Sequence, residues 1–283
     1  METRNQTILN GRDSAHIGAP PSLSYIPDPS DATINHFQRE DSVGGHQSGV
    51  AFPPAAVVVG PRACFLLDGA GHECLRETLA LRRDTVELKP VQKNFSPPLP
   101  YQITLLQALP KGKIIENILQ KVAELGVFRI VPLQSERVTA QLDAESAESK
   151  LEKWRLTIIE AAKQCGAPWL PQIEAPLSPK TFLARGEKFD LPLIASLQSD
   201  SRHPRECFES FHAEHGRLPK SVCIWVGPEG DFTPAEINAA KSAGALPITL
   251  GRLVLRSETA AVYCLSVLNY ELQFHHAPET RAQ

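Results

Sequence analysis

The sequence predicts an α/β domain built on a largely parallel β-sheet and preceded by a small β-rich module. After residue 100, apolar runs alternate with segments whose apolar residues repeat at helical spacing, as strands and helices do in α/β proteins. The runs "DLPLIASL" and "KSVCIWVG" are almost continuously apolar, which is typical of strands that a parallel sheet buries on both faces. Before residue 100 the chain holds only short β-like runs separated by turn signals.

The first hundred residues divide into two parts. Residues 1–50 are rich in Ser, Asp, Gly, Pro and His and show little periodic apolar patterning, so we predict a mostly disordered leader. Residues 51–98 contain "AAVVV", "ACFLLD" and "TVELKPV" and are predicted to form the β module and a proline-rich linker.

A possible nucleotide-binding motif in the β module is better interpreted as a hairpin. The stretch "DGAGHEC" has the Gly-x-Gly pair of a dinucleotide site, but Cys74 stands where the third glycine would be required. Asp-Gly is also a strong hairpin signal, so we predict a β-hairpin here.

Residues 99–283 are predicted to form the α/β domain. Its predicted strands are "YQITLLQAL", "FRIVPL", "DLPLIASL", "KSVCIWVG" and "ALPITLG". A first helix carries an apolar stripe from Ile115 to Leu125, and Gly126 supplies its C-terminal stop. Similar stripes predict a long helix over about 145–164 and a last helix over about 258–272.

The stretch "VGPEGDF" lies between a predicted strand and a predicted helix. The "TPAE" that follows explains the start of this helix, with Thr233 as the N-cap and Glu236 completing a capping box. It does not explain Gly227, Pro228 and Gly230, because a simple strand-to-helix turn needs fewer special residues. Ligands of open α/β sheets bind outside the carboxyl ends of strands, where glycines allow close approach to the backbone.

The stretch "LGRLVLRSETAA" repeats this arrangement. It leaves a predicted strand through Gly251 and enters the last helix at Ser257, which we expect to be the N-cap. Arg252 and Arg256 enclose three apolar residues, which is unusual for a loop in water. One such loop could be purely structural, but two loops that each leave a buried strand favour a shared small-molecule pocket.

Two further polar groups leave both a functional and an ordinary interpretation open. Ser135, Glu136 and Arg137 follow another predicted strand and could form a solvated loop. Gln164, near the end of the long helix, could be an ordinary polar residue.

Composition and missing motifs exclude several classes of protein. The net charge of -3 gives no general attraction to polyanions, so an RNA surface would have to be assembled locally. The six cysteines lack a CxxC pair and zinc-ligand spacing, which predicts reduced thiols, no metal site and a cytoplasmic location. The sequence holds no P-loop, HExxH or GxSxG motif, and no apolar run reaches the roughly 20 residues that span a bilayer.

Five motifs, taken in order, resemble the RsmE family, the ribosomal RNA uridine-N3 methyltransferases of the SPOUT superfamily. They lie within about residues 101–272 and are "KVAELGV" (121–127), "SERV" (135–138), "EAAKQCG" (160–166), "GPEGDF" (227–232) and "LGRLVLRSETA" (250–260). Each motif is weak alone, but five at matching positions form a specific signal. The preceding region resembles only the later part of the family's PUA-like barrel, which leaves Arg76, Arg82 and Arg83 as candidates for an RNA-facing surface.

The resemblance implies a fold and an activity. The fold would be a SPOUT-type parallel sheet with a C-terminal trefoil knot, preceded by a reduced PUA-like module. The activity would be methylation of uridine N3 in small-subunit (16S-type) ribosomal RNA, with S-adenosyl-L-methionine as the cofactor. The expected partners are ribosomal RNA or the small ribosomal subunit and a second copy of the chain, because the family's active sites lie near a homodimer interface. No membrane partner is expected.

The resemblance also assigns roles to residues. The cofactor is expected to contact Gly227, Pro228, Gly230, Leu250, Gly251, Leu255 and Ser257. Since uridine N3 must lose a proton, Arg256 and Arg137 are candidates for stabilising the resulting anion or for binding a phosphate. Glu229 and Glu258 are the candidates for accepting the proton or orienting the base, and capping a helix is the alternative role for either residue. Substrate contacts are expected from Ser135, Gln164 and Arg252.

Two departures from the family keep other functions open. Many relatives carry a second glycine where this chain has Asp231, and Ala167 replaces the arginine that usually follows the "EQSG"-like stretch. The loss of that arginine favours two alternatives, a SPOUT methyltransferase that modifies another RNA position or a non-catalytic SPOUT-like RNA-binding or assembly factor. The intact cofactor loops argue against the second alternative.

Overall fold

The computed structural model describes most of the chain after residue 62. Described are residues 63–81, 85–112, 114–138 and 143–274, together with the strands Asn35–Gln38 and Ala55–Gly60. The predicted leader lies outside the described residues apart from the first of these strands, as do Arg82 and Arg83. None of the described helices combines the length and the apolar character that a bilayer crossing would require.

An antiparallel sheet forms the described part of the β module. Its strands are β1 (Asn35–Gln38), β2 (Ala55–Gly60), β3 (Ala63–Leu67), β4 (His72–Leu81) and β5 (Thr85–Phe95), in the spatial order β1-β5-β4-β3-β2. β3 pairs antiparallel with β4 across residues 68–71, which confirms the predicted hairpin. The sequence pattern did not predict β4, because Arg76 is buried in this strand whereas Leu79 is 48% exposed.

The tip of this hairpin docks on the α/β domain. The amide of Gly71 donates to the carbonyl of Pro168 at 2.9 Å, and the amide of Leu170 donates to the carbonyl of Gly69 at 3.0 Å. A Cβ atom on Gly71 would lie 2.7 Å from the ring of Trp169, so only glycine fits this approach. The glycines of "DGAGHEC" therefore serve a contact between the two parts of the chain.

The α/β domain is built on a parallel sheet, as predicted. Its strands are β6 (Gln102–Ala108), β7 (Arg129–Leu133), β8 (Gln172–Ile173), β9 (Leu191–Ala195), β10 (Ser221–Val226) and β11 (Leu246–Ile248). Their spatial order is β11-β9-β10-β6-β7-β8, and each neighbouring pair is parallel. All six strands therefore end at the same edge of the sheet, and the loops that follow them meet there.

Helices cover both faces of the parallel sheet. They are α1 (Ile114–Glu124), α2 (Ala144–Cys165), α3 (Pro179–Ala184), α4 (Pro204–His215), α5 (Pro234–Ser242) and α6 (Ser257–Phe274). One core buries Ile103 and Leu105 of β6 with residues of α1, α2, α4 and α6. A second core buries Leu106 of β6 with residues of α3 and α5. Successive residues of a strand point to opposite faces, so the continuous apolar runs are explained by burial on both sides.

The predicted helices α1, α2 and α6 are present, whereas α3 and α4 were not predicted. α3 has only six residues, too few to display a helical period. α4 starts at a proline and buries Cys207, Phe208 and Phe211, a short stripe within an otherwise polar segment. Gly126 has φ of 74° and ends α1 as predicted, because glycine adopts this left-handed conformation without strain.

Candidate functional site

A cavity opens where β9, β10 and β11 end. Its volume is about 280 Å³. Four segments line it, namely 195–198 after β9, the start of the loop after β10, the loop after β11, and the first turn of α6. The two loops singled out in the sequence thus share one cavity, as predicted. We call residues 227–233 the first loop and residues 249–256 the second loop.

The first loop is closed by its own hydrogen bonds. The amide of Asp231 donates to the carbonyl of Pro228 at 2.9 Å, and the Asp231 carboxylate accepts from the amide of Phe232 at 2.7 Å. Asp231 has φ of 59°, the left-handed region in which glycine is favoured and Asp is among the better tolerated residues. A Cβ atom on Gly227 would lie 2.9 Å from the Asp231 carboxylate and 3.3 Å from the Asp231 Cα, so a larger residue at 227 would crowd the turn.

The end of the first loop is anchored in the core and in α5. Phe232 is 2% exposed, and its ring contacts that of Trp225 edge to face at 6.0 Å between centroids. Thr233 caps α5, and its amide donates to the Glu236 carboxylate at 2.8 Å, which completes the predicted capping box. These contacts define where the loop ends and the helix begins.

Residues far away in sequence hold the first loop from outside. The guanidinium of Arg137 donates to the carbonyl of Gly230 at 2.6 Å. The Glu229 carboxylate accepts from the amide of Lys111 at 3.1 Å, and the Glu236 carboxylate accepts from the amide of Glu136 at 3.0 Å. The segment "SERV" therefore lies against this loop, and Arg137 binds the loop backbone.

A series of buried hydrogen bonds links β6, α6 and the first loop next to the cavity. Gln107 is fully buried at the end of β6, and its amide nitrogen donates to the Ser257 hydroxyl at 3.0 Å. That hydroxyl donates to the carbonyl of Gly227 at 2.8 Å. The expectation that Ser257 caps α6 was wrong, because α6 begins at Ser257 itself and the carbonyl of Arg256 accepts the first helical bond, from Ala260. The Ser257 hydroxyl instead links the last helix to the first loop.

The second loop is far more exposed. Leu253 and Val254 are each 78% exposed. Gly251 has φ of 111°, and a Cβ atom there would meet nothing within 4 Å. Within the described part of the chain, the guanidinium groups of Arg252 and Arg256 have neither an ion pair nor a hydrogen bond. Both cations are therefore available to a ligand.

The cavity gathers many, but not all, of the residues predicted from sequence. Those that line it are Gly227, Pro228, Glu229, Leu250, Gly251, Arg252, Leu255 and Ser257. Gly230 and Arg137 do not line the cavity, and the Arg137 guanidinium donates to the carbonyl of Gly230. Arg256 is exposed beside the cavity, and Glu258 lies half-buried in the first turn of α6.

Two predicted substrate residues lie away from the cavity lining. Ser135 is 2% exposed, and its hydroxyl has no hydrogen-bond partner among the described residues. Gln164 is exposed in the last turn of α2. Sequence reasoning missed Gln107, Lys111 and Ser196, because no local pattern distinguishes them from ordinary strand and loop residues.

Comparisons with known proteins match the part of the chain that holds this cavity. The family model of the RNA methyltransferase domain matches residues 97–269. Ribosomal RNA small subunit methyltransferase E of Bacillus subtilis (strain 168) is 32% identical over 213 residues, which are 74% of this chain and 81% of the relative. The protein of the same name from Synechocystis sp. is 32% identical over 210 residues, covering 74% of this chain and 66% of the relative.

Solved structures are similar over the same part of the chain. A Legionella pneumophila structure in complex with the bound cofactor SAM is 33% identical, with a TM-score of 0.65 over 73% of this chain and 81% of that one. Ribosomal RNA small subunit methyltransferase E from Neisseria gonorrhoeae, bound to S-adenosyl methionine, is 26% identical. Its TM-score is 0.65 over 75% of this chain and 84% of that one.

Proposed function

The chain belongs to the RNA methyltransferase domain family and is related to ribosomal RNA small subunit methyltransferase E; from that premise we propose that it methylates N3 of a uridine in small-subunit ribosomal RNA. Its cofactor is S-adenosyl-L-methionine, the molecule bound in two similar structures. The observation that carries the proposal is the cavity of about 280 Å³ that both loops line at the carboxyl edge of the sheet.

The cavity suits this cofactor in size and in chemistry. Its volume is close to the lower end of the roughly 300–1,000 Å³ of small-molecule sites. Leucine and valine side chains of the second loop offer apolar contact for an adenine ring, and Ser196, Gln198 and Thr249 offer polar groups for a ribose and an amino acid. Gly227 and Gly251 carry no side chain, so a ligand can approach their backbone closely, and their backbone groups are the candidates for reading the adenine edge.

The protein's task in this reaction is orientation and control of charge. When bound, S-adenosylmethionine supplies an activated methyl group, so no further nucleophile from the protein is needed. We assign Arg256 to stabilise the negative charge that develops on the uridine, because its guanidinium has no partner among the described residues and its neighbours Leu255 and Ser257 both line the cavity. Arg137 was a second candidate for this role, but its bond to Gly230 supports the role of a loop clamp instead.

Glu229 is the better placed of the two candidate proton acceptors. Glu229 lines the cavity, and one oxygen of its carboxylate accepts from the amide of Lys111. The hydrogen bond would hold the carboxylate in position, while its second oxygen could take the N3 proton. Glu258 lies half-buried in the first turn of α6 and remains the alternative.

Substrate contacts are proposed on both sides of the cavity. Arg252 lines the cavity and is exposed, so it can reach a phosphate of the RNA. Gln164 would contact RNA from the surface of α2. Ser135 is too buried to bind RNA directly without a movement of its loop, so its proposed contact is the weakest of the three.

Two architectural proposals accompany this function. The first is the trefoil knot: β11 lies at the edge of the sheet, whereas α6 packs near β6 and β10, so the second loop has to pass back across the sheet edge. The residues after β9 bridge over β11, with the amide of Thr249 donating to the carbonyl of Arg202 at 2.9 Å, and this supports threading beneath them. A crystal structure would test this proposal, and a chain path in which the C-terminal segment does not pass through a loop would overturn the knot.

The second architectural proposal is a homodimer. Tyr263 and Tyr270 of α6 are 40% and 62% exposed, and such exposed aromatic side chains are typical of interfaces. We expect analytical ultracentrifugation to give the mass of two chains and Tyr270→Glu to shift the equilibrium to monomer. A monomer that is fully active would contradict the dimer.

The first experiment is calorimetric titration with S-adenosylmethionine. We expect binding by the natural chain and its loss in Gly251→Trp, because this variant adds a large side chain at a residue that lines the cavity. Gly216→Trp is the matched control, because Gly216 also has a positive φ and open space but does not line the cavity. Loss of binding in both variants, or in neither, would contradict this location of the cofactor.

The second experiment maps the methylated position. Labelled methyl groups are transferred to small ribosomal subunits that lack the modification, and reverse transcription then locates stops, because an N3-methyl group blocks Watson–Crick pairing. A product that does not block pairing would favour the alternative of another RNA position. Cofactor binding without transfer would favour a non-catalytic RNA-binding factor.

A further inference from the structure

The β module contains a buried cation without a partner. Arg76 is 4% exposed, and its Nε and Nη1 atoms have no hydrogen-bond partner among the described residues. It forms no ion pair there either. Burying a charge is costly unless it is paired, and buried charges in native proteins are normally paired or bound to an ion. An unsatisfied buried arginine therefore indicates an anion that belongs to the site.

The side chain of Arg76 lines a cavity of about 130 Å³ between β4 and β5. The cavity is lined by Cys74, Arg76, Pro90, Val91, Gln92 and Lys93. Arg76 and Lys93 are cations, and Gln92 carries a side-chain amide. None of the described residues that line the cavity is acidic. Its volume is several times the roughly 30 Å³ that one water molecule occupies, so a tetrahedral oxyanion fits with some of its hydration.

The strand geometry explains why the sheet opens at this point. The register shifts between Leu75 and Arg76, so that Val91 is an extra residue in β5. A bulge of this kind leaves a residue unpaired and redirects side chains. Pro90, the residue opposite Arg76, has no amide hydrogen to donate across the ladder. The acids Glu73 and Glu77 alternate with Cys74 and Arg76 along β4, which directs them to the other face.

A neighbouring thiol does not supply the missing negative charge. Cys64 is the residue opposite Arg76 on β3 and is 8% exposed. Burial raises the pKa of the Cys64 thiol, although the nearby Arg76 acts in the opposite direction. The thiol therefore stays neutral at physiological pH and leaves the guanidinium unpaired.

We propose that the cavity between β4 and β5 binds a phosphate oxyanion of the RNA backbone, held by Arg76 and Lys93. The RNA part of this proposal rests on the proposed function, whereas the oxyanion part rests on the unpaired arginine alone. Arginine is suited to this role because its planar guanidinium can present two parallel donors to a phosphate. The site would let the β module hold the RNA while the cavity between the two loops acts on the base.

Variants of the full chain test the site with two probes. Arg76→Met removes the charge but keeps much of the length of the side chain, and it also removes the cost of burying an unpaired charge. Lys93→Gln alters an exposed residue of the cavity and leaves the fold intact. Lys89→Gln is the matched control, since Lys89 is exposed on the same strand but does not line the cavity.

Inorganic phosphate is the first probe. We expect it to raise the Tm of the natural chain above the Tm in chloride at equal ionic strength. This rise should disappear in Arg76→Met, shrink in Lys93→Gln and persist in Lys89→Gln. A phosphate response that persists in Arg76→Met would overturn the site. If that variant does not fold, an unchanged response in Lys93→Gln would overturn it instead.

A small-subunit ribosomal RNA fragment is the second probe, with binding measured over a range of salt concentrations. Loss of one phosphate contact should lower affinity about tenfold at low salt and reduce the salt slope by about one. If Arg76→Met loses the phosphate response but keeps both RNA affinity and slope, the site takes free phosphate and the RNA assignment is wrong.

Titration with S-adenosylmethionine separates this proposal from the proposed function. Arg76→Met should bind the cofactor as the natural chain does, because the two cavities share no residue. A phosphate response that depends on Arg76 would therefore stand even if the chain transferred no methyl group.

Discussion

The two loops that enclose the main cavity are built in opposite ways. In the first loop, Gly230, Glu229 and Asp231 each make a hydrogen bond to a named partner, and Phe232 is buried. In the second loop, Leu253 and Val254 are each 78% exposed, and two arginines have no partner among the described residues. The protein itself determines the shape of the first loop, whereas the second loop presents its side chains to solvent.

This difference suggests that the two loops have different functions. A loop held by several distant contacts is preorganised and can set the position of a bound molecule without further ordering. An exposed loop with apolar and cationic side chains gains most of its contacts only when ligands cover it. We therefore expect changes in the contacts that hold the first loop to act mainly on cofactor affinity and stability, and changes at the two arginines of the second loop to act mainly on the RNA substrate and its reaction.

The largest expected effect is that of Arg256→Gln in the second loop. Removing a group that stabilises developing negative charge should lower kcat by about 10²- to 10³-fold, with cofactor affinity little changed. Single-turnover methyl transfer and calorimetric titration measure the two quantities. Arg252→Gln is the control and should raise KM for the RNA with kcat nearly unchanged. An unchanged kcat in Arg256→Gln would remove this arginine from the reaction.

The next largest effect is expected from Gln107→Leu, which breaks the chain linking β6, α6 and the first loop. The Ser257 hydroxyl would lose its buried donor, so the free energy of unfolding should fall by about 1–3 kcal/mol. Urea denaturation measures this change. Thr104→Val, at another buried polar residue of β6, should leave cofactor affinity unchanged. If the natural protein, Gln107→Leu and Thr104→Val bind the cofactor with equal affinity, the hydrogen bonds that start at Gln107 do not position the first loop.

A smaller effect is expected from Arg137→Met, which releases the first loop from its clamp. We expect cofactor affinity to fall about tenfold, equivalent to about 1.4 kcal/mol, because Gly230 loses its charged donor. Arg137→Lys keeps a positive donor and should recover part of the loss. A large fall in kcat with unchanged affinity would return Arg137 to the catalytic role that the sequence suggested.

The smallest effect is expected at Asp231, the left-handed residue of the first loop. Asp231→Ala should lower the free energy of unfolding by about 1 kcal/mol, since alanine tolerates a φ of 59° poorly and cannot accept from Phe232. Asp231→Gly should be close to the natural chain, because glycine relieves the strain while losing the hydrogen bond. Thermal unfolding of both variants checks the order, and an alanine variant as stable as the glycine variant would contradict it.

Features written in local patterns were predictable from the sequence alone. The alternation of apolar runs and helical stripes indicated the α/β class and the parallel strands, because burial on both faces requires continuous apolar residues. "TPAE" predicted the capping box of α5, since Thr233 and Glu236 are only three residues apart. The glycines after two buried strands placed both loops at one edge of the sheet, and the resemblance over five motifs identified the family.

Features that depend on distant contacts were decided by the tertiary structure. Gln107 and Ser257 are 150 residues apart, and Arg137 is 93 residues from Gly230, so their bonds exist only because the strand order brings them together. The same dependence made Ser257 a link to the first loop instead of a helix cap, and it buried Arg76 beneath a bulged strand instead of exposing it on the surface. Sequence periodicity reports which face of an element is buried, whereas the identity of a partner depends on how the elements are arranged in space.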